Sequence, residues 1–128
     1  MHAVKIENLS YKINNKLILN DINLDLEKDK IACLLGPSGS GKTTLLKLIA
    51  GLEKVQEGKI FLNNSEVSSA TKHLKTEKRK IGFLFQDYAL FPHLTVEENI
   101  KYPINFKNSN YKIEDIINLI KLPNSLQK

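Results

Sequence analysis

The sequence predicts an α/β fold: an antiparallel β region, then a buried strand, a glycine-rich loop and a buried helix. Three observations predict it. Apolar and polar residues alternate in the opening stretch, as half-buried strands require. The continuous apolar run Ile31-Ala32-Cys33-Leu34-Leu35 fits a strand covered on both faces. Glycines and small residues come next, and then a stretch rich in helix-forming leucine, lysine and alanine.

The elements run in order. Residues 3–7 alternate and read as a first strand, with 17–19 a short second candidate. Ile22, Leu24 and Leu26 alternate cleanly, and 27–30 reads as a turn. Residues 42–50 read as a helix whose Leu45, Leu46, Leu48 and Ile49 leave little polar face, with Gly51 as its stop. Residues 58–62 form another short strand, closed by a turn at Asn63-Asn64. Residues 65–80 are polar and charged and read as surface loop. Residues 81–85 repeat the buried-strand pattern, and Pro92 breaks regular structure after them. Thr95-x-x-Glu98 is a capping-box pattern that opens a helix limited by Pro103. Ile113, Ile116, Ile117 and Ile120 share one face of a last helix, which Pro123 ends.

Composition bounds the function. The 128 residues, 41% hydrophobic and 26% charged, suit one small soluble domain. The net charge of +5 comes from lysine; Arg79 is the sole arginine. Arginine stripes interleaved with aromatics are missing, so no nucleic-acid partner is expected. The lysines around Arg79 read as a solvated face. One cysteine, Cys33, excludes an internal disulfide and fits a reducing, cytoplasmic setting. No run is long enough to cross a bilayer, so any membrane role is peripheral or through a partner. His2, His73 and His93 have no metal-ligand spacing.

The chemistry lies in Gly36-Pro37-Ser38-Gly39-Ser40-Gly41-Lys42-Thr43, which fits G-x-x-x-x-G-K-[ST]. Glycines let backbone N–H groups wrap a phosphate. The loop feeds a helix N-terminus, whose dipole and free N–H groups favour anions. Lys42 supplies a mobile charge for the β- and γ-phosphates, and the Thr43 hydroxyl is a hard ligand suited to Mg²⁺. Thr44 is placed to reach the α-phosphate. Chance gives this pattern in about one chain of this length in a few hundred. The ligand expected is a nucleoside triphosphate, foremost ATP with Mg²⁺. A phosphate-loop kinase or GTPase is the competing class; the base-reading motif N-K-x-D that a GTPase would show is absent.

Three segments carry a family resemblance: residues 34–52 around the loop, the stretch Ile81-Gly82-Phe83-Leu84-Phe85-Gln86-Asp87-Tyr88-Ala89-Leu90-Phe91-Pro92-His93-Leu94-Thr95-Val96-Glu97-Glu98-Asn99-Ile100, and Tyr11 ahead of the loop. Together they resemble the N-terminal part of an ABC transporter ATP-binding subunit, over about residues 4–100. The second segment looks closest to importers for spermidine, iron(III), thiamine, sulfate or molybdate. The resemblance implies a P-loop NTPase core with an N-terminal antiparallel β region, residues 1–93. The beginning of a helical subdomain, residues 94–128, comes after it and is truncated. It implies that Tyr11 stacks on adenine and that Gln86 contacts Mg²⁺ and the attacking water. It also implies docking on a membrane-embedded permease subunit at the inner face of the cell membrane, and pairing with a second ATP-binding subunit. A non-transport ABC ATPase and a non-hydrolysing remnant are the alternatives.

Two departures stand out. Asp29-Lys30 and Asn63-Asn64 occupy turns where the family usually places glycine; Asp and Asn tolerate φ > 0 best among the other residues. The family's signature motif, the metal-binding aspartate with its catalytic glutamate, and the switch histidine are absent from these 128 residues. Binding with little hydrolysis is therefore the expectation for this stretch of chain.

Overall fold

The structure, a computed structural model, describes residues 1–102 and residue 118. The expected helix around 113–122 and the stop at Pro103 lie outside the described residues, residue 118 apart. The chain divides into two compact units, Met1–Phe83 and Leu84–Lys128.

The first unit contains β1 (His2–Ile13), β2 (Lys16–Glu27), α1 (Lys42–Ala50), β3 (Glu57–Leu62) and β4 (Ser65–Ser69), then a 3-10 turn at Thr76–Lys78. The strands form one antiparallel sheet in the order β2-β1-β3-β4. The two short candidates at 17–19 and 22–26 are a single long strand, β2. The expected turns hold their backbone left-handed without glycine: φ is 61° at Asp29, 48° at Asn63 and 62° at Asn64. Their short polar side chains make that conformation tolerable.

The core shows how sequence becomes packing. Ile6, Leu9 and Tyr11 of β1 are all buried, although three positions separate the first two. Strict alternation would put Ile6 and Leu9 on opposite faces. The register between β1 and β2 shifts between these residues, and Asn8 has φ 48°. This irregularity resets the parity, so Leu9 and Tyr11 both turn inward. They pack with Leu19, Leu45, Leu48, Val55, Ile60, Leu62 and Val67 in one cluster. Gly58 of β3 makes the bulge possible. Its φ is 89°, and a Cβ there would lie 2.5 Å from the Asn8 carbonyl oxygen. Gly58→Ala is therefore expected to lower unfolding free energy by about 3 kcal/mol, from left-handed strain plus a backbone clash. A urea midpoint unchanged by this substitution would contradict the bulge packing.

Two expected strands are corrected. Residues 31–35 and 81–85 are not strands. A strand is held by neighbours that take its N–H and C=O groups, and the strand pairings of the described residues do not extend to either run. Ile31 is fully exposed and Leu35 is 88% exposed. α1 has the expected limits but not the expected burial all round: Leu45, Leu48 and Ala50 are buried, while Leu46 is exposed.

The reading of 65–80 as surface is also corrected. Ser65–Ser69 is β4, with Val67 and Ser68 buried. Arg79, read as part of a solvated face, is only 3% exposed. Burial pushes its guanidinium pKa down. The same region holds His73, whose buried Nδ1 has no hydrogen-bond partner among the described residues. Burial, then Arg79 and Lys54, push its imidazole pKa down and favour the neutral ring.

In the second unit, residues 86–89 form a turn with Tyr88 and Ala89 at positive φ. Further on, α2 (Val96–Lys101) has the expected capping box: Glu98 N–H donates to Thr95 Oγ1, and Thr95 N–H donates to Glu98 Oε2. Those Thr95 hydrogen bonds hold the Glu98 carboxyl below the usual range. Asn99 ties the preceding turn together. Its Oδ1 accepts from Phe91 N–H at 2.9 Å, and its Nδ2 donates to the carbonyls of Phe91, Leu94 and Thr95. Phe91 packs on Tyr102 with ring centroids 4.4 Å apart.

Candidate functional site

The phosphate-loop residues lie together between 31–35 and α1. Gly41 is the N-cap of α1, with φ 90° and ψ 4°. A Cβ there would meet Leu19 Cδ2 at 2.8 Å, so glycine lets the loop pass close over β2. No side chain caps the start of α1, and its first turn carries no acidic residue. The contrast with α2 is direct: there Thr95, Glu97 and Glu98 satisfy the first N–H groups and their dipole. At α1 the corresponding N–H groups are left for an anion from outside.

Lys42 is the first residue of α1 and bends back over the loop. Its ammonium donates to the Gly36 carbonyl at 2.8 Å, the Pro37 carbonyl at 2.6 Å and Ser40 Oγ at 3.1 Å. The charge therefore sits at the mouth of the loop, held by neutral oxygens. These are contacts that a phosphate oxygen can replace without leaving the ammonium undercoordinated. Ser38, Gly39 and Ser40 are exposed, and Ser40 N–H closes a turn onto the Pro37 carbonyl at 3.3 Å. Thr43 is exposed, while Thr44 is half-buried in the first turn of α1. A cleft of ≈ 410 Å³ runs beside the loop, walled by Leu19, Ile22 and Leu24 of β2 opposite Gly36 and Lys42.

Tyr11 lies near the end of β1. Its ring is 9% exposed and belongs to the core cluster, and its hydroxyl donates to Glu53 Oε2 at 3.2 Å. Burial, and then Glu53, raise its pKa. Lys12 and Ile13 at this end of β1 are exposed, Ile13 by 44%. Gln86 is exposed at the start of the turn 86–89, in the second unit.

Sequence reasoning missed two residues that organise these elements, Arg79 and Asn99. Arg79 had one signal, being the sole arginine in a lysine-rich chain. Among the described residues, no group of three or more His, Cys, Asp or Glu side chains could hold a metal ion. No helix there is long and apolar enough to cross a membrane.

A glycine-rich loop leading into an uncapped helix, with a lysine held at its mouth, is the arrangement of the P-loop class. Comparison with known proteins narrows the class. The sequence model of the family described as ABC transporter matches residues 19–128. The sulfate/thiosulfate import ATP-binding protein CysA of Synechocystis sp. is 40% identical over 94% of this chain and 34% of its own length. The spermidine/putrescine import ATP-binding protein PotA of Thermotoga maritima is 38% identical over 98% of this chain and 34% of its own. The Fe(3+) ions import ATP-binding protein FbpC of Fusobacterium nucleatum is 39% identical over 88% and 29%. Among solved structures, the ATP-binding cassette MJ0796 bound to ADP and Pi superposes with a TM-score of 0.76 at 29% identity. That match covers 97% of this chain and 60% of the other.

This chain belongs to the ABC transporter family. It spans about a third of the length of the three curated relatives named above.

Proposed function

We propose that the chain is part of the ATP-binding subunit of an ABC importer, and that residues 36–44 take the triphosphate of Mg-ATP. The observation that carries this is the loop itself: an uncapped α1 N-terminus with the Lys42 ammonium held by the Gly36 and Pro37 carbonyls. In this reading the β- and γ-phosphates displace those carbonyls from Lys42. N–H groups of the loop and of the first turn of α1 hold the remaining oxygens. The donor set fits Mg²⁺, because the exposed Thr43 hydroxyl next to Lys42 is a hard oxygen. The ion would neutralise phosphate charge; this chain's own part is to bind and orient the phosphates.

Tyr11 is the proposed neighbour of the adenine ring, as the family resemblance implies. The segment from Leu94 onward is proposed to begin a helical subdomain that docks on a membrane-embedded permease, at the inner face of the membrane. A second ATP-binding subunit is the proposed partner for a complete site, in keeping with the dimeric cassette among the structural relatives. Relatives named for sulfate, spermidine and Fe(3+) import favour the importer reading.

The test uses the 128-residue chain with Mg-ATP. Its melting temperature is expected to rise, since a ligand at 100 times its Kd stabilises by about 2.7 kcal/mol. Phosphate release is expected at background, because no catalytic glutamate is placed among these residues. A flat melting temperature contradicts the binding claim; turnover above background contradicts the claim of binding without hydrolysis.

A further inference from the structure

Arg79 stands out in the first unit as a buried cation without a carboxylate. A guanidinium has five N–H donors. Each contact here goes to a neutral oxygen: Nε to Leu74 O at 2.8 Å, Nη1 to Leu48 O at 3.2 Å and Ile49 O at 2.9 Å, Nη2 to Val67 O at 3.5 Å and Ser68 Oγ at 2.6 Å. Two of these acceptors are carbonyls at the C-terminal end of α1, which carries its negative dipole end; that of Leu48 also accepts from Gly51 N–H at 3.2 Å. The others belong to β4 and the loop after it. Gly51 leaves the room required: a Cβ there would lie 2.4 Å from Nε.

α1 is nine residues long, too short to hold its own register in water. One end is the phosphate loop, and Leu45 N–H closes its first turn onto Gly41 O at 2.9 Å. Arg79 grips the other end and ties it to the sheet. We infer that Arg79 is a positioning residue for the phosphate loop: by fixing the C-terminal carbonyls of α1 to β4, it fixes where the N–H groups at the other end point. A single charged point could not do this, because the acceptors diverge and only the planar fork meets them together. This deepens the phosphate-binding reading and rests on it for its functional consequence, while its structural content is measurable without nucleotide.

The test compares Arg79→Lys, which keeps the charge and loses the fork, with Gly58→Ala, which destabilises the same unit at the β1–β3 bulge. Amide exchange at Leu45 and Leu46 is monitored in the nucleotide-free chain, each variant held equally far below its own melting temperature. Mg-ATP affinity is titrated in parallel. Arg79→Lys is expected to speed exchange at these amides about 10-fold over the control and to weaken Mg-ATP about 10-fold. Ser68→Ala removes one acceptor, folds more securely, and is expected to move both readouts the same way by about threefold. Equal exchange in the Arg79, Ser68 and Gly58 variants would overturn the inference, leaving Arg79 as a stabiliser only. If the unsubstituted chain does not bind Mg-ATP but the exchange difference appears, the positioning claim stands and the nucleotide reading fails.

Discussion

Lys42→Ala is expected to weaken Mg-ATP binding to this chain roughly 100-fold while leaving its melting temperature nearly unchanged. The two halves of that expectation have different causes. Toward the ligand, Lys42 brings a charge whose hydrogen bonds to phosphate oxygens contribute about 3 kcal/mol, at about 1.4 kcal/mol per tenfold in affinity. Toward the fold it contributes little. Its partners, the Gly36 and Pro37 carbonyls and Ser40 Oγ, lie in an exposed loop where water can replace an ammonium. Titration calorimetry and a melting curve on the same protein separate the two. A large loss of stability with unchanged affinity would mean that Lys42 braces the loop and does not bind the ligand.

Arg79→Met is expected to do the reverse in energetic terms, lowering unfolding free energy by about 4 kcal/mol. Methionine fills much of the space of the arginine stem but donates nothing. Replacing a whole buried ionic group by apolar residues is often neutral because the partners go too. Here they cannot go: four of the five acceptors are main-chain carbonyls, those of Leu48, Ile49, Val67 and Leu74. The Leu48 and Val67 carbonyls keep a donor in Gly51 N–H and Leu74 N–H, while those of Ile49 and Leu74 lose the arginine donor in partly buried positions. Against a typical domain stability of about 5–15 kcal/mol the loss is severe. Urea unfolding gives the number, and a change under about 1 kcal/mol would show that the carbonyls find other donors.

The parts legible in the sequence are those written in short-range chemistry. The limits of α1 at Lys42 and Ala50, its αL stop at Gly51 and the Thr95–Glu98 capping box each depend on residues within one turn. The turns at Asp29 and Asn63-Asn64 are legible for the same reason. The missed parts depend on distant partners. Residues 31–35 and 81–85 have strand composition, but composition cannot supply a neighbour. Tyr11 faces inward because the bulge at Asn8 shifts the parity of β1, and that bulge is allowed by Gly58, far along the chain. Arg79 reads locally as one more surface charge. Its burial depends on carbonyls at 48, 49, 67 and 74, which no local pattern announces.

The central claim is that residues 36–44 bind the phosphates of a nucleoside triphosphate. Isothermal titration of the 128-residue chain with Mg-ATP tests it most directly, run beside Lys42→Ala under the same conditions. The structure predicts saturable one-site binding to the unsubstituted chain and roughly 100-fold weaker binding to the variant. No saturable heat from the unsubstituted chain, or equal affinity in the two proteins, would contradict it.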